Sequence, residues 1–357
     1  MIGMSVFDAD AFSAVSLTKA VDYMSYVPSL LGSIPNLFER VPVRTEEVWI
    51  ERRAYGPALI QTSPRGAPPS QVGGGGDKRD ARAYKTVRLA DASRVTANEL
   101  QNIRRFGSEI DLKDLMEEVG RRQFKLTANF DLTEENLRLG CVQGVVYDAD
   151  GSTVLANWIS EFANNAPGGR TLTQPSVVPF NFSAGTLGSV RQNSNNVVRT
   201  LRRNLGGLDK PGVKIVAICG DSFYDQLVTH PEVRATYLNW TAAADLREGV
   251  GEVWQPFPFA GIEWINYRST DDAATGTPTL GVPTANCAFF PRGAGIFQWA
   301  TAPAEKFEFL NTPGQSRYSW IVRDPLRDAW ADIEMYAYPL PVCVLPQALA
   351  TGHAGNS

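Results

Sequence analysis

A glycine- and proline-rich segment separates two strand-like stretches in this 357-residue chain and limits the folds that it can adopt. Residues 64–80 read PRGAPPSQVGGGGDKRD, and four consecutive glycines flanked by prolines cannot hold a hydrophobic core. EEVWIERR and ALIQTS before this segment, and AYKTVRLADASRV after it, are typical of strands. The sequence therefore predicts a long two-stranded arm over residues 46–96, with a flexible tip.

Such an arm needs support from a neighbour. Strands of about 18 residues would reach on the order of 60 Å, and an isolated hairpin is marginal in water. Between residues 51 and 105 there are eleven Lys and Arg against five Asp and Glu. A solvated face explains this charge, and so does docking onto an acidic partner surface. The residues expected to form a contact between subunits are Arg52, Arg53, Arg79, Arg82, Lys85 and Arg88.

The clearest helical periodicity covers residues 109–143. Apolar residues from Leu112 to Cys141 recur on one face, and Ser108 is a candidate N-cap. The stretch Asp131–Glu134 could interrupt the helix. A helix of about 35 residues would span roughly 50 Å, which is long for a compact domain and suits a strut.

The second half of the chain mixes strands and helices, which predicts an α+β fold. Residues 213–219 form the continuous apolar run of a buried strand. Residues 221–228 begin a helix that Asp221 or Ser222 can cap, and residues 195–203 are amphipathic and basic. Further strand-like runs cover residues 261–267, 285–290, 295–299, 318–322 and 332–343.

Two acidic motifs raise the possibility of an enzyme. GVVYDADGSTV resembles the nucleophile loop of haloacid-dehalogenase-like phosphatases, and ICGDSFYD resembles the motif with which that superfamily holds magnesium. In this interpretation Asp148 would be the nucleophile and Asp150 the general acid and base. Asp221 and Asp225 would bind the metal.

The surroundings of these motifs favour a structural role instead. The nucleophile of such a phosphatase follows a central parallel strand, whereas here a long helix precedes the motif. An Asp-Gly pair between alternating apolar runs predicts a hairpin. We therefore expect Asp148, Asp150 and Gly151 to form a tight turn, and Asp221 to cap a helix.

Composition argues against several other classes. A net charge of −4, with no tail rich in Lys and Arg, argues against strong binding to nucleic-acid phosphates. The four cysteines, which form no CxxC pair, are expected to be buried free thiols, and with two histidines no zinc site is predicted. No run of apolar residues has membrane-spanning length and no signal peptide is evident, so synthesis in the cytosol is expected.

The order of these parts resembles the major capsid proteins of tailed bacteriophages, specifically the lambda-like capsid protein E family. GVVYDADGSTVLANW after a long helix and ICGDSFYDQLVTHPEVR in the α/β unit carry the resemblance. KTVRLADASRVTANELQ beyond the glycine-rich tip and RDPLRDAWADIEMYAYPLPVCVL near the C-terminal end add to it. Each motif is moderately specific, and their order is more so.

The resemblance implies the Hong Kong 97-like capsid fold. In that fold the chain would divide into an N-terminal arm, an extended loop, a peripheral domain that contains a spine helix, and an axial domain. The corresponding residues would be 1–45 for the arm, 46–96 for the loop, 97–194 with 305–357 for the peripheral domain, 109–143 for the spine helix and 195–304 for the axial domain.

The resemblance also implies a function and partners. The chain would be the major capsid protein of a tailed double-stranded DNA phage, forming hexamers and pentamers of an icosahedral shell that encloses the genome. Its partners would be portal, scaffolding and decoration proteins, with packaged DNA contacted non-specifically. It would be located in the virion after assembly in the host cytoplasm, with no catalytic role, cofactor, metal or membrane. The alternatives are an encapsulin-like compartment shell and a haloacid-dehalogenase-like phosphatase.

Overall fold

A computed structural model describes residues 26–53, 79–96, 111–162, 176–184, 187–238, 256–270, 280–323, 326 and 330–355. The α-helices in these ranges are α1 (Leu30–Ser33), α2 (Asp111–Gln143), α3 (Trp158–Phe162), α4 (Ser189–Leu205), α5 (Asp221–Thr229) and α6 (Pro231–Leu238). The strands are β1 (Phe38–Pro42), β2 (Glu47–Arg53), β3 (Arg79–Lys85), β4 (Leu89–Thr96), β5 (Val145–Tyr147), β6 (Val154–Asn157), β7 (Ser176–Pro179), β8 (Lys214–Cys219), β9 (Phe257–Phe259), β10 (Ile262–Asn266), β11 (Asn286–Arg292), β12 (Phe297–Thr301), β13 (Tyr318–Arg323), β14 (Trp330–Ala337), β15 (Pro339–Cys343) and β16 (Ala350–His353).

A six-stranded sheet forms the largest layer, with the strand order β7-β16-β11-β8-β10-β9. Its strand β8 is the apolar run predicted from the sequence, and it is buried on both faces. Ile215, Ala217 and Cys219 pack into one core with α4 and α5, whereas Val216 and Ile218 face a second core. Burial on both faces explains why the strand reads as continuously apolar rather than alternating.

The six-stranded sheet draws on segments that are distant in sequence. β16 pairs with β11 and β7, so residues 176–179 and 350–353 lie in the same sheet as β8. The range 195–304 expected for an axial domain therefore does not enclose the whole sheet. The domain limits inferred from the resemblance stay predictions.

The second core lies against a three-stranded sheet with the order β1-β12-β15. β1 runs parallel to β12, and β15 runs antiparallel to it. Leu137 and Cys141 from the C-terminal part of α2 belong to this core, together with Phe297 and Val342. The end of the long helix is therefore fixed to strands from the N-terminal and C-terminal parts of the chain.

Helix α2 confirms the predicted long helix over the described residues, whereas Ser108 lies outside them. It runs without interruption through Asp131–Glu134, where Arg317 pairs with Asp131 at 2.5 Å and with Glu134 at 2.9 Å. Leu126 and Phe130 on the same helix pack against the sheet β13-β14-β4. One helix thus joins two hydrophobic cores.

The second strand of the predicted arm, after the glycine-rich tip, is shorter than expected. β2 and β3 form an antiparallel ladder from Glu47↔Lys85 to Arg53↔Arg79. AYKTVRLADASRV is not one strand of that arm, because the chain leaves the ladder at Thr86 and β4 pairs with β14. Val95 of β4 is buried under α2 there, which explains the change of partner. ALIQTS lies outside the described residues.

Candidate functional site

The inner face of the hairpin β2–β3 is attached to the chain's own core. Val48 and Ile50 are buried, and Tyr84, the register partner of Val48, packs its ring 5.1 Å from the ring of Trp158 in α3. The sequence predicts that a neighbour covers the arm. Over the described residues, one face of the arm is instead covered by the same molecule.

A polar contact fixes the same attachment. The Arg82 guanidinium donates from Nη1 to Glu161 Oε2 and to the Glu161 carbonyl oxygen, both at 2.8 Å. The Tyr84 hydroxyl donates to Glu161 Oε2 at 3.2 Å. Burial, and then the charge of Glu161, raise the pKa of Tyr84. The base of the hairpin is therefore held on α3 by apolar and charged contacts together.

The six basic residues expected to meet a neighbouring subunit do not form one described surface. Arg82 faces α3, Lys85 lies 3.7 Å from Glu46, and Arg88 lies beyond the hairpin, 3.3 Å from Glu305. In the backbone register Arg52 pairs with Asp80, and Arg53 pairs with Arg79. The side chains of Arg52, Arg53 and Arg79 lie outside the described part of the structure.

The outer face of the hairpin carries a large exposed side chain. Trp49 is 64% exposed, and its register partner Ala83 is exposed beside it. A tryptophan presented on a fixed strand is the type of side chain that most often anchors protein interfaces. This face is therefore the described part of the hairpin best suited to contact a partner.

The first acidic motif is a turn, as the sequence predicts. Strands β5 and β6 pair antiparallel, and Gly151 has a φ of 66° in the left-handed region that favours glycine. Asp150 accepts hydrogen bonds from the backbone N–H groups of Ser152 and Thr153, at 2.9 and 2.8 Å. Asp148 accepts one from Ala149 at 2.8 Å. Hydrogen bonds from Thr153 and Ser152 hold the pKa of Asp150 well below its usual range.

Asp221 is not the cap of α5, which corrects the sequence prediction. Gly220 takes the N-cap position, Asp221 is the first helical residue, and no side chain caps the helix. The N–H of Phe223 donates instead to the carbonyl oxygen of Thr284 at 2.8 Å. A side chain at residue 220 has no room, because its Cβ would lie 2.3 Å from Pro283 O.

The phosphatase interpretation finds no site among the described residues. Asp148 directly follows a strand of a two-stranded antiparallel sheet rather than a central parallel strand, and Lys214 is paired with Glu263 at 2.5 Å. No group of three or more His, Cys, Asp or Glu side chains in the described ranges could hold a metal ion. The two motifs therefore act as local structure.

The cysteines agree with the prediction of buried free thiols. All four are buried and form no disulfide, and burial raises the pKa of Cys141 and Cys287. A thiol kept protonated in an apolar core is a poor nucleophile. These residues therefore contribute to packing.

One buried carboxylate is not predicted from the sequence. Glu135 in α2 is 0% exposed, and it accepts hydrogen bonds from the N–H groups of Leu31 at 2.7 Å and Gly32 at 3.1 Å. The Tyr267 hydroxyl donates to it at 3.3 Å, and the Arg138 guanidinium lies 3.7 Å away. Glu135 thus joins the N-terminal segment, the long helix and the end of β10. No sequence motif marks this role.

Several large apolar side chains are exposed besides Trp49. Exposed apolar residues that are scattered singly are ordinary, whereas a contiguous exposed patch marks a surface that contacts other molecules. They include Phe124, Leu187, Phe307, Leu310 and Leu326.

Among the described helices, none combines the length and the apolar character needed to cross a bilayer.

Comparisons with known proteins agree with this architecture. The chain is 22% identical over 352 residues to the major capsid protein of Salmonella phage Felix O1, covering 90% of this chain and 92% of that one. It is 26% identical over 355 residues to the major capsid protein of Pseudomonas phage KPP10, covering 94% and 96%. The capsid structure of the cyanophage P-SCSP1u superposes with a TM-score of 0.51 at 11% identity, covering 95% and 92%.

These likenesses support the Hong Kong 97-like α+β capsid fold. They support a capsid protein and neither of the alternatives, the compartment shell and the phosphatase. The model of one family, phage major capsid protein E, matches residues 13–354, nearly the whole chain. The chain belongs to the phage major capsid protein E family.

Proposed function

We propose that the hairpin arm, residues 46–85, makes the contact between copies with which this major capsid protein builds its shell. Proteins of this kind form the icosahedral shell of tailed phages, and this chain is part of the virion. The observation that supports the proposal is the two-sided hairpin. Its inner face is anchored on α3, and its outer face presents Trp49 to solvent.

The anchoring has a physical consequence for assembly. A strand ladder that is already fixed on its own subunit loses little conformational freedom when it meets a neighbour, so more of the contact energy remains for binding. The basic residues beyond the base, which include Arg52, Arg53 and Arg79, add attraction to an acidic surface. The arm is thus a pre-positioned connector between copies.

The remaining partners follow from the same function. We propose that hexamers and pentamers of this chain make up the shell. The shell is assembled in the host cytoplasm with portal, scaffolding and decoration proteins. Packaged DNA meets a chain with a net charge of −4, which gives little attraction to phosphates. This supports confinement of the genome without tight or sequence-specific binding.

A deletion tests the role of the arm. Removing Gly73–Gly76 with flanking residues of the tip should leave a folded, soluble subunit that fails to form shells, because the connector is shortened while its base is intact. Electron microscopy and size-exclusion chromatography of the purified protein measure this outcome. A variant with four serines in place of the glycines keeps the length of the arm and serves as the control, which should assemble. Normal shells from the deletion would contradict the proposal.

A further inference from the structure

The C-terminal half of helix α4 presents a basic face to solvent. Val197 and Leu201 on its other side are buried and pack against the six-stranded sheet. Arg199, Arg202 and Arg203 are exposed. Because residues three or four positions apart are neighbours on a helix surface, these three guanidinium groups form one cluster. The packing of α4 on the sheet therefore fixes a group of positive charges on the outside of the molecule.

The chain continues this cluster beyond the helix. Asp209 lies 3.8 Å from Arg202, which places the exposed Lys210 beside the end of α4. Between residues 189 and 214 lie six of the chain's 34 Lys and Arg, but one of its 38 Asp and Glu. A chain with a net charge of −4 thus concentrates positive charge on one surface. We call Arg199, Arg202, Arg203 and Lys210 the basic helix end.

The acidic groups near the basic helix end do not neutralise it. Asp209 pairs with Arg202, and Glu263 on β10 is shared by Lys214 at 2.5 Å and Arg292 at 3.2 Å. In the part of the chain that the structure describes, the other three members of the basic helix end form no ion pair. Cations in the last turn of a helix offset its dipole, but Arg199 and Lys210 lie outside that turn. The surface therefore keeps an excess of positive charge that the fold itself does not use.

The groups between these cations suit phosphate oxygens better than a protein partner. Asn196 and Thr200 are exposed on the same helix face, and Gly206 and Gly207 leave open backbone directly after the helix. Amide, hydroxyl and backbone N–H groups accompany Arg and Lys in contacts to nucleic-acid phosphates. The centres of protein interfaces are instead rich in aromatic side chains and poor in charge. Among residues 189–214, all of them described, the one large exposed apolar side chain is Leu208.

We propose that the basic helix end contacts the phosphate backbone of the packaged double-stranded DNA and therefore lines the inner wall of the shell. The proposal rests on the proposed function, in which packaged DNA is contacted non-specifically, and it names the surface that makes this contact. Neutralising phosphates gives attraction that does not depend on base sequence and falls as salt rises. Because the rest of the chain is acidic, each copy would touch the DNA at one small area and repel it elsewhere. The result is weak contact repeated over many copies.

Binding of a short DNA duplex to the unassembled subunit tests the surface. The test variant combines Arg199→Gln, Arg203→Gln and Lys210→Gln. The control variant changes the net charge equally at exposed positions elsewhere, with Arg40→Gln, Arg44→Gln and Arg234→Gln. Fluorescence anisotropy at several salt concentrations measures the dissociation constant, and an unchanged unfolding temperature shows that each subunit is folded.

The two variants should differ clearly. The test variant should weaken binding about tenfold or more at low salt and should lower the salt dependence by about one phosphate contact for each cation removed. The control should weaken binding less than about twofold, because charges farther away than a Debye length are screened. Equal losses in both variants would show that net charge alone acts and would overturn the proposal.

Amine labelling of assembled particles tests the place of the contact. A small amine-reactive reagent that enters the shell should label Lys210 in empty particles, and most of this labelling should be lost in particles filled with DNA. Lys85, which is largely exposed at the base of the hairpin, is the control and should be labelled equally in both. Mass spectrometry of the digested protein measures the labelling at each lysine.

The outcomes separate this inference from the proposed function. Equal labelling of Lys210 in empty and filled particles would overturn the inference and leave the proposed function intact. Protection of Lys210 in both kinds of particle would show a protein partner at this surface and would also overturn it. Failure of the unaltered chain to form shells that hold DNA would overturn the proposed function itself.

Discussion

At the scale of single residues, the carboxylate of Glu135 shows how one buried side chain organises distant segments. It satisfies two N–H groups at the start of α1, which otherwise would lack partners within that short helix. Burial raises the pKa of Glu135, while bonds from Leu31 and the charge of Arg138 oppose this effect. The residue therefore links the N-terminal segment to the long helix, and this link costs the free energy of removing a carboxyl group from water.

Replacing Glu135 tests this link. Glu135→Ala leaves the N–H groups of Leu31 and Gly32 buried without acceptors and should lower the free energy of unfolding by about 1–3 kcal/mol. A carboxyl group whose pKa is higher in the folded state contributes stability at pH values below its pKa in the unfolded state. This contribution is lost as the pH rises through its pKa in the folded state. The difference between wild type and variant should therefore shrink as the pH rises from below 4.5.

Denaturant unfolding of the unassembled subunit over this pH range measures the Glu135 effect. Glu39→Ala, which removes an exposed acid, is the control and should change the free energy of unfolding by less than about 0.5 kcal/mol. A difference that grows with pH would contradict the assignment.

Gly220 gives a second prediction at this scale. Gly220→Ala should lower the free energy of unfolding by about 1–3 kcal/mol, because its Cβ would press on the backbone of Pro283 and Thr284. Asp221→Ala, one residue further on, removes an exposed side chain that does not cap α5 and should have a much smaller effect. Thermal unfolding of the two variants compares them, and equal losses would show that Asp221 matters as much as the glycine.

At the scale of elements, the hairpin β2–β3 is defined by what its inner face touches. Val48 and Ile50 alternate with Trp49, so one side is packed and the other is free. Alternation predicts two such faces from sequence alone. It does not identify α3 as the partner, because Glu161 is 79 residues away from Arg82 in the chain.

The contact between Arg82 and Glu161 should control how firmly the hairpin is held. Arg82→Ala should cost at most about 1 kcal/mol in subunit stability, because the pair is partly exposed. It should nevertheless speed hydrogen exchange in β2 and β3, since the ladder is freer to separate from α3. Lys85→Ala is the matched control: the Lys85–Glu46 pair is largely exposed, so its loss should not speed exchange. Equal exchange rates in both variants would show that the apolar contacts alone hold the hairpin.

At the scale of the whole molecule, the chain joins a folded body to surfaces that face outward. Two large cores hold the six-stranded sheet, the β1-β12-β15 sheet and the end of α2 together. Trp49 and Phe307 lie outside these cores and remain exposed on elements that are themselves fixed. A protein that builds a shell from many copies needs this combination, because rigid subunits transmit a defined angle from one contact to the next.

Local patterns were enough to predict α2, β8 and the Asp-Gly hairpin, because helical periodicity, a continuous apolar run and a turn pair depend on neighbouring residues. Sequence order was enough to recognise the family. The pairing of β4 with β14, the membership of β7 and β16 in the large sheet, and the burial of Glu135 were not predictable in this way. Each depends on contact between segments far apart in the chain, as the 104 residues between Leu31 and Glu135 illustrate. The lack of space at such a contact also requires a glycine at residue 220. Asp221 does not cap α5, although its side chain alone would favour that role.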